Sequence, residues 1–213
     1  MTEPDKNCAH CPRLAAFRQK NRDSFPDRFN APVPSWGTRG AGLLIVGLAP
    51  GLKGANFTGR PFTGDYAGDL LYSTLNKFGY ARGTYQARPD DGLTLVNCRI
   101  TNAVRCVPPE NKPTGDEIKK CQPFLEAELA AQPPRAVILS LGKISHDAVL
   151  RSTGHKISAF KFAHAATHDL GGGRILVDSY HCSRYNTQTG RLTEAMFHDV
   201  FRIISQITAN NNQ

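Results

Sequence analysis

Short apolar runs alternate with amphipathic stretches along most of the chain. Four runs have the length and composition of buried strands, namely Leu43–Val46, Leu93–Val96, Ala136–Leu139 and Ile175–Val177. Apolar residues recur at helical spacing in four other stretches, namely Asp69–Phe78, Ile118–Leu129 after a Thr114–Glu117 capping box, Lys143–Arg151 and Leu192–Ile207. Strands that alternate with helices predict an α/β fold with a mostly parallel sheet covered on both faces.

The length of the chain, 213 residues, predicts a single domain spanning 1–213, with a polar tail at about 208–213. No apolar run approaches the length of a membrane-spanning helix. The first residues have no apolar core of a signal peptide, so we expect a cytoplasmic protein with no membrane partner.

The charge of the chain is strongly basic, with 26 Lys and Arg against 18 Asp and Glu and a formal net charge of +8. An excess of this size favours a polyanionic partner, and nucleic acid is the commonest one in solution. The plainer interpretation is an ordinary basic protein without such a partner.

A loop rich in glycine and proline follows the first apolar run, and its motifs are Gly47–Gly51 and Gly59–Asp65. Loops at the carboxyl ends of strands build the ligand sites of open α/β sheets. Phe62 is suited to stack on a flat ligand and Asp65 to act as an acid or a base. The alternatives are a core aromatic for Phe62 and an N-cap for Asp65.

A polar segment that contains His181 follows the fourth apolar run, so we expect it at the same end of the sheet as the glycine loop. A histidine there can donate a hydrogen bond to a ligand oxygen or stabilise charge on it. Ser183, Arg184 and Asn186 are suited to contact phosphates. A purely structural loop histidine is the alternative.

Four of the six cysteines form two pairs. Cys8 and Cys11 are separated by two residues, whereas fourteen residues separate Cys106 from Cys121. Without a secretory signal, cysteines in this pattern favour metal binding over disulfides. Four thiolates satisfy zinc or a [4Fe–4S] cluster, and the spacing does not choose between them. Four unrelated thiols remain a third interpretation.

Taken together and in order, these motifs resemble those of the uracil-DNA glycosylase superfamily, and specifically its family-five or type b branch. The resemblance covers roughly residues 8–200. Its motifs are Cys8–Cys11, Gly47–Gly51, Gly59–Asp65, Thr101–Pro109, Cys121 and His181–Thr187.

The resemblance implies a three-layer α/β/α fold around a four-stranded parallel sheet. It implies a structural [4Fe–4S] cluster, held by Cys8, Cys11, Cys106 and Cys121, with an N-terminal cluster-binding segment at about 1–20. The cluster would tie the N-terminus to the segment that precedes Cys121.

The resemblance also assigns roles in the pocket. Gly47, Ala49, Phe62 and Asn102 would bind the substrate base, Phe62 by stacking and Asn102 by reading its polar edge. His181 would stabilise the leaving base. Since neither Leu48 nor Ala49 can polarise water, this sequence matches the type b branch, in which the aspartate of the second motif activates water. That residue is Asp65.

The expected function is therefore a monofunctional DNA glycosylase of base-excision repair. It would release uracil and other deaminated bases, including hypoxanthine, from double-stranded DNA, acting as a monomer associated with the nucleoid of a prokaryote. Ser183, Arg184 and Asn186 would contact DNA, and Arg184 would enter the duplex. Asp69 and Asp178 are the alternative carboxylates.

Three other functions fit parts of the pattern. A hydrolase of free nucleotides, dependent on a cluster or zinc, would use the same pocket without a DNA-binding surface. A non-catalytic module that binds damaged DNA would not need Asp65 or His181. A redox protein fits least, because four thiolate ligands leave no open iron site.

Overall fold

A central β-sheet with helices on both faces organises the computed structural model, which describes residues 3–211. Its strands are β1 (Trp36–Gly37), β2 (Leu43–Gly47), β3 (Ala81–Arg82), β4 (Thr94–Leu95), β5 (Cys98–Asn102), β6 (Val137–Leu141), β7 (Thr167–Asp169) and β8 (Ile175–Ser179). Its α-helices are α1 (Pro12–Ser24), α2 (Ala55–Thr58), α3 (Tyr66–Lys77), α4 (Gly115–Ala130), α5 (Lys143–Ser152), α6 (Arg184–Gln188) and α7 (Glu194–Asn211).

The main sheet has six strands in the order β1-β5-β2-β6-β8-β7. The four inner strands are parallel, as the resemblance implies, and the short outer strands β1 and β7 are antiparallel additions that the sequence did not predict. The fold class is confirmed as α/β, with a mostly parallel sheet.

The second predicted strand was placed too early. Part of Leu93–Val96 forms β4, which pairs with β3 in a separate two-stranded sheet, whereas the parallel strand is β5. The sequence of β5 is not an apolar run, because two of its buried residues, Arg99 and Thr101, are polar. The guanidinium of Arg99 can be buried since its Nε and Nη2 donate to the Glu128 carboxylate, the latter at 2.8 Å.

The two faces of the sheet carry separate apolar layers because side chains alternate along each strand. Leu43 and Ile45 of β2 point to the layer formed with α3 and α7, while Leu44 and Val46 point to the layer formed with α4 and α5. This is the three-layer α/β/α arrangement expected from the resemblance. None of the helices in the described part of the chain is long and apolar enough to cross a membrane.

Both ends of the chain contain more helix than their amino-acid composition predicts. The second part of the predicted N-terminal segment at 1–20 folds into α1 from Pro12 onward, and Leu14 of this helix packs with Val104, Cys121 and Phe124 in a third apolar cluster. The C-terminal helix α7 extends into the predicted polar tail as far as Asn211, and the final residues 212–213 lie outside the described residues.

A buried ionic network joins α5 to the end of β8. His146 Nδ1 lies 2.8 Å from Asp178 Oδ1, and its Nε2 lies 3.0 Å from the Phe160 carbonyl oxygen. His168 Nε2 and the Ser140 hydroxyl also contact the Asp178 carboxylate. Carbonyl and carboxylate oxygens accept hydrogen bonds, so the pattern places protons on both ring nitrogens of His146.

The network predicts a pH dependence of stability. Burial lowers the pKa of His146, but the hydrogen bond to Asp178 and its charge outweigh burial, so the pKa is raised above the ordinary 6.5. A raised pKa stabilises the fold fully below the unfolded-state value, and this contribution is lost as pH rises through the folded-state value. We expect the free energy of unfolding in urea to fall as pH increases above about 6.5.

The variant His146→Gln should lose this pH slope and cost about 3–5 kcal/mol near pH 6, because Asp178 would be left buried without its cationic partner. His155→Gln is the control and should retain the slope, since His155 is partly exposed and its Nδ1 contacts only Thr153. An unchanged slope in His146→Gln would contradict the assignment.

Candidate active site

A large pocket opens at the carboxyl ends of the parallel strands β2, β5 and β8, where the sequence predicted a ligand site. Its open volume is about 1480 Å³. Its walls are the loop after β2, the start of α3, the end of β5 and the segment that leads into α6. The predicted site residues among its lining are Ala49, Phe62, Asp65, Asn102, His181, Ser183 and Arg184.

The floor of the pocket depends on the pairing of two strand ends. Gly47 at the end of β2 is in register with Asn102 at the end of β5. A Cβ on Gly47 would lie 2.4 Å from Asn102 Oδ1 and 2.7 Å from Phe62 Cζ. Only glycine therefore lets the amide of Asn102 and the ring of Phe62 approach this strand end together.

Two polar side chains face the pocket without protein partners. Within the described residues, neither the side-chain amide of Asn102 nor the ring nitrogens of His181 make a hydrogen bond, although Asn102 is only 4% exposed. Burial lowers the pKa of His181 to about 4, so its imidazole is neutral at physiological pH. Asn102 is buried and His181 is partly exposed, and both line the pocket, so their unpaired polar groups are suited to bind a ligand there.

Phe62 is both a core aromatic and a pocket residue. Its ring is 7% exposed, packs with the apolar layer under α3, and lies 6.0 Å from the His181 ring between centroids. Its backbone has a φ of 52°, an unfavourable conformation for a bulky residue. The surrounding structure must therefore hold it there.

The β3–β4 connection, residues 83–93, holds the Phe62 loop in place. The Tyr85 hydroxyl accepts a hydrogen bond from Gly64 N–H and donates one to the Phe62 carbonyl, each at 3.2 Å. Arg60, 4% exposed, donates to both carboxylate oxygens of Asp91 at 2.8 and 2.7 Å. The Arg60 guanidinium holds the pKa of Asp91 below its ordinary value.

Asp65 is an N-cap and a pocket residue at the same time. Its Oδ1 accepts a hydrogen bond from Gly68 N–H at 3.3 Å, which caps the first turn of α3. Its Oδ2 faces the glycine loop, where a Cβ on Gly54 would lie 2.4 Å away. Burial raises the pKa of Asp65 despite the hydrogen bonds from the helix backbone. The two interpretations of Asp65 are therefore compatible.

The two alternative carboxylates do not line the pocket. Asp69 is exposed on the first turn of α3. Asp178 is fully buried and bonded to His146, His168 and Ser140. Asp65 is thus the carboxylate that this pocket holds among its described lining residues.

The rim after His181 contains the exposed cation Arg184 and two internally bonded residues, Ser183 and Asn186. Ser183 caps α6 by accepting from Asn186 N–H, and the Asn186 amide donates to the His181 carbonyl at 2.8 Å. Arg184 is exposed, with its guanidinium 5.3 Å from the centroid of the Tyr66 ring. Tyr185 is 71% exposed and projects from the same short helix.

The four cysteines predicted to bind a metal, Cys8, Cys11, Cys106 and Cys121, line one small cavity between α1, the segment after β5 and α4. Burial, Glu117 and the neighbouring thiols raise the pKa of Cys11 to about 11, and burial raises that of Cys121 to about 12. The Arg105 backbone N–H donates to Cys121 Sγ at 3.3 Å. Cys98 and Cys182 are buried elsewhere, in the core under α3 and α7.

Comparison with known proteins agrees with this geometry. A family model described as the uracil DNA glycosylase superfamily matches residues 34–204. A Type-5 uracil-DNA glycosylase of Thermus thermophilus is 44% identical over 91% of this chain and 90% of its own length. The Type-5 enzyme of Mycobacterium leprae is 43% identical over 92% and 89%. A Type-4 enzyme of Pyrobaculum aerophilum is 36% identical over 71% and 63%.

The chain belongs to the uracil DNA glycosylase superfamily. This confirms the family to which the ordered motifs pointed. The family motifs supply the pocket residues, but they left out the residues that hold the pocket in shape. Tyr85 and Asp91 carry no motif of their own, and only the Asp90–Asp91–Gly92 run marks their segment as a turn.

The Tyr85 contacts predict a local loss of order when the hydroxyl is removed. Tyr85→Phe should cost about 1–3 kcal/mol of unfolding free energy, because it leaves the Phe62 carbonyl and the Gly64 N–H without their partner. Hydrogen exchange of the amides in residues 60–66 should become faster, since the strained backbone at Phe62 is released.

The matched control is Tyr185→Phe, in which an exposed hydroxyl is removed from the same residue type. We expect it to change neither the unfolding free energy nor the exchange of residues 60–66. Equal exchange in both variants would show that Tyr85 does not hold the loop.

Proposed function

We propose that this protein is a monofunctional DNA glycosylase that hydrolyses the N-glycosidic bond of uracil in double-stranded DNA, the first step of base-excision repair. One observation carries the proposal in a chain of this superfamily. Phe62 and Asp65 of one loop, Asn102 at the end of β5 and His181 after β8 converge on one pocket from three separate segments of the chain. An aromatic face, an amide, an imidazole and a carboxylate are the groups that this reaction needs.

The substrate base must leave the duplex before it can reach the pocket, which costs a few kcal/mol of lost stacking and pairing. Stacking on the Phe62 ring compensates for part of this cost. The Asn102 amide offers both a donor and an acceptor to the polar edge of the base. Its free and buried state supports this role, because a base that failed to match it would leave the amide unpaired.

His181 acts on the leaving base. Bond cleavage develops negative charge on the base, and a donor aimed at its O2 oxygen stabilises that charge. With a pKa of about 4, His181 is a neutral imidazole that donates a hydrogen bond and keeps its proton. The base therefore departs as an anion held by a hydrogen bond.

Asp65 acts on the sugar and the water. Loss of the base leaves positive charge on the sugar, which the Asp65 carboxylate stabilises. Water then adds to the anomeric carbon as the carboxylate accepts a proton from it, so that the C–N bond is replaced by a C–O bond. The raised pKa of Asp65 makes it a better proton acceptor than an exposed aspartate.

Base release from an oligonucleotide with a single uracil tests this function. Asp65→Asn should slow single-turnover release by between about 10²-fold and 10⁴-fold, because it removes the proton acceptor. The α3 helix should remain capped, since asparagine is as good an N-cap as aspartate. Alkali cleavage of the abasic product gives the rate.

Asp69→Asn is the matched control on the exposed face of the same helix, and its rate should stay within about twofold of the wild type. Full activity of Asp65→Asn would assign water activation to another group. Salt-dependent binding of uracil-containing DNA without base release would favour the non-catalytic damage-binding module. Hydrolysis of free nucleotides alone would favour the nucleotide hydrolase.

The pH dependence of release has a defined sign. Release should slow as pH falls and Asp65 becomes protonated, with an apparent pKa above the ordinary 3.8 of aspartate because burial raises it. His181 is neutral until pH falls to about 4, so its own protonation affects the rate only there. A pH profile of single-turnover rates should lose the Asp65 limb in Asp65→Asn, and persistence of that limb would contradict the assignment.

The proposal also includes substrate bases larger than uracil and the residues that contact the DNA. The small side chain of Ala49 in the lining of the pocket supports acceptance of larger deaminated bases such as hypoxanthine. Arg184 contacts phosphate, and the adjoining Tyr185 is a second candidate for the residue that enters the duplex. Ser183 and Asn186 support this segment through its backbone.

We further propose that Cys8, Cys11, Cys106 and Cys121 hold a [4Fe–4S] cluster. The donor set fits, because four thiols line one cavity and backbone and side-chain N–H groups donate to two of the sulfur atoms. The cluster, when bound, supplies a structural cross-link between the N-terminal segment and the chain around Cys106. Since one chain supplies all four pocket groups, we propose a monomer that acts on chromosomal DNA in the cytoplasm.

A further inference from the structure

Arg18 is a buried cation beside the four cysteines. It lies on α1, is 5% exposed and lines the same cavity as Cys8, Cys11, Cys106 and Cys121. Its Nη1 donates to Cys106 Sγ at 3.5 Å and its Nη2 to the Cys8 carbonyl at 2.8 Å. Its Nε is buried and has no hydrogen-bond partner in the described structure.

The other buried arginines all have carboxylate partners, and Arg18 does not. Arg60 is paired with Asp91, Arg99 with Glu128, and Arg105 with Glu3. No carboxylate of the described residues lies within ion-pair distance of Arg18. An uncompensated buried cation is strongly destabilising, so its environment must supply negative charge in another form.

The cysteine cavity can supply that charge. Four thiolates around a [4Fe–4S] core leave a doubly negative complex in its oxidised state, and one-electron reduction adds a further negative charge. Hydrogen bonds to the sulfur atoms and nearby charge are among the factors that set the reduction potential of such clusters. The guanidinium of Arg18, which lines the cavity, has one donor on a cysteine sulfur, and its buried Nε–H has no partner in the described structure.

We propose that Arg18 is the counter-ion and hydrogen-bond donor of the iron–sulfur cluster, which makes it a positioning residue for the ligand Cys106. This inference rests on the cluster of the proposed function. Arg18 favours the reduced, more negative state of the cluster and slows its loss. It also ties the Cys8 backbone to Cys106, so that both sides of the cavity close around the metal centre.

Anaerobically purified holoprotein tests the inference through three variants. Arg18→Gln removes the charge, Arg18→Lys retains it without the guanidinium fork, and Lys20→Gln removes an exposed charge from the same helix. Iron, zinc and acid-labile sulfide are measured first. Voltammetry then gives the reduction potential, and visible absorbance gives the rate of cluster loss to a chelator.

We expect a more negative potential in Arg18→Gln, because removal of a positive charge disfavours the added electron. Cluster loss should become about 10-fold to 100-fold faster, as for other residues that support metal ligands. Arg18→Lys should keep the potential close to that of the wild type but lose the cluster faster. Lys20→Gln should match the wild type in both measurements.

The outcomes separate the inference from the proposals on which it rests. A full cluster with unchanged potential and loss rate in Arg18→Gln would overturn the role of Arg18 alone. If Arg18→Gln does not fold, equal rates of cluster loss in Arg18→Lys and Lys20→Gln would overturn it as well. Zinc in place of iron in the wild type would overturn the cluster itself, while uracil release would still test the glycosylase independently.

Discussion

The close approach of two parallel strands at Gly47 and Asn102 is the constraint on which the pocket depends. Register places these residues side by side at the carboxyl ends of β2 and β5. The absence of a side chain on Gly47 leaves the space that the Asn102 amide and the Phe62 ring occupy. Any side chain there would overlap both, so the proposed geometry for binding a flat base depends on the absence of a Cβ at Gly47.

Several parts of the structure serve to keep that geometry in place. The backbone N–H groups of Ala103 and Val104 donate to the carbonyls of Gly47 and Leu48, which binds the glycine loop to the chain after β5. On the other side, Tyr85 holds the strained backbone at Phe62. A buried polar group without a protein partner costs stability, so a pocket that presents the buried amide of Asn102 needs this rigid support.

The cysteine cavity is connected to the pocket through the same segment of chain. Asn102 ends β5, and Cys106 follows four residues later, with Arg105 between them bonded through its backbone to Cys121. A metal centre at these cysteines would therefore stabilise the backbone that carries the Asn102 amide. The proposed cluster would in this way support the geometry of the pocket without taking part in the hydrolysis.

An element could be predicted from the sequence when the residues that determine it are neighbours in the chain, and not when they lie far apart. The strand β2 and the helix α3 were predictable because an apolar run and a local N-cap are properties of neighbouring residues. The strand β5 was not, since Arg99 and Thr101 look polar until Glu128, almost thirty residues away, pairs with Arg99 in the core. The same reason hid the role of Asp178, which its contacts with His146, His168 and Ser140 reveal.

By itself, the sequence determined the α/β class and the superfamily, and it predicted residues that line the pocket, because these are recorded in local patterns and short ordered motifs. Only the tertiary structure decided that Asp65 both caps a helix and faces the pocket, that Tyr85 supports Phe62, and that Arg18 is buried beside the cysteines without a carboxylate. These are contacts between segments far apart in the chain. Their energies depend on burial and distance, which exist only once the chain has folded.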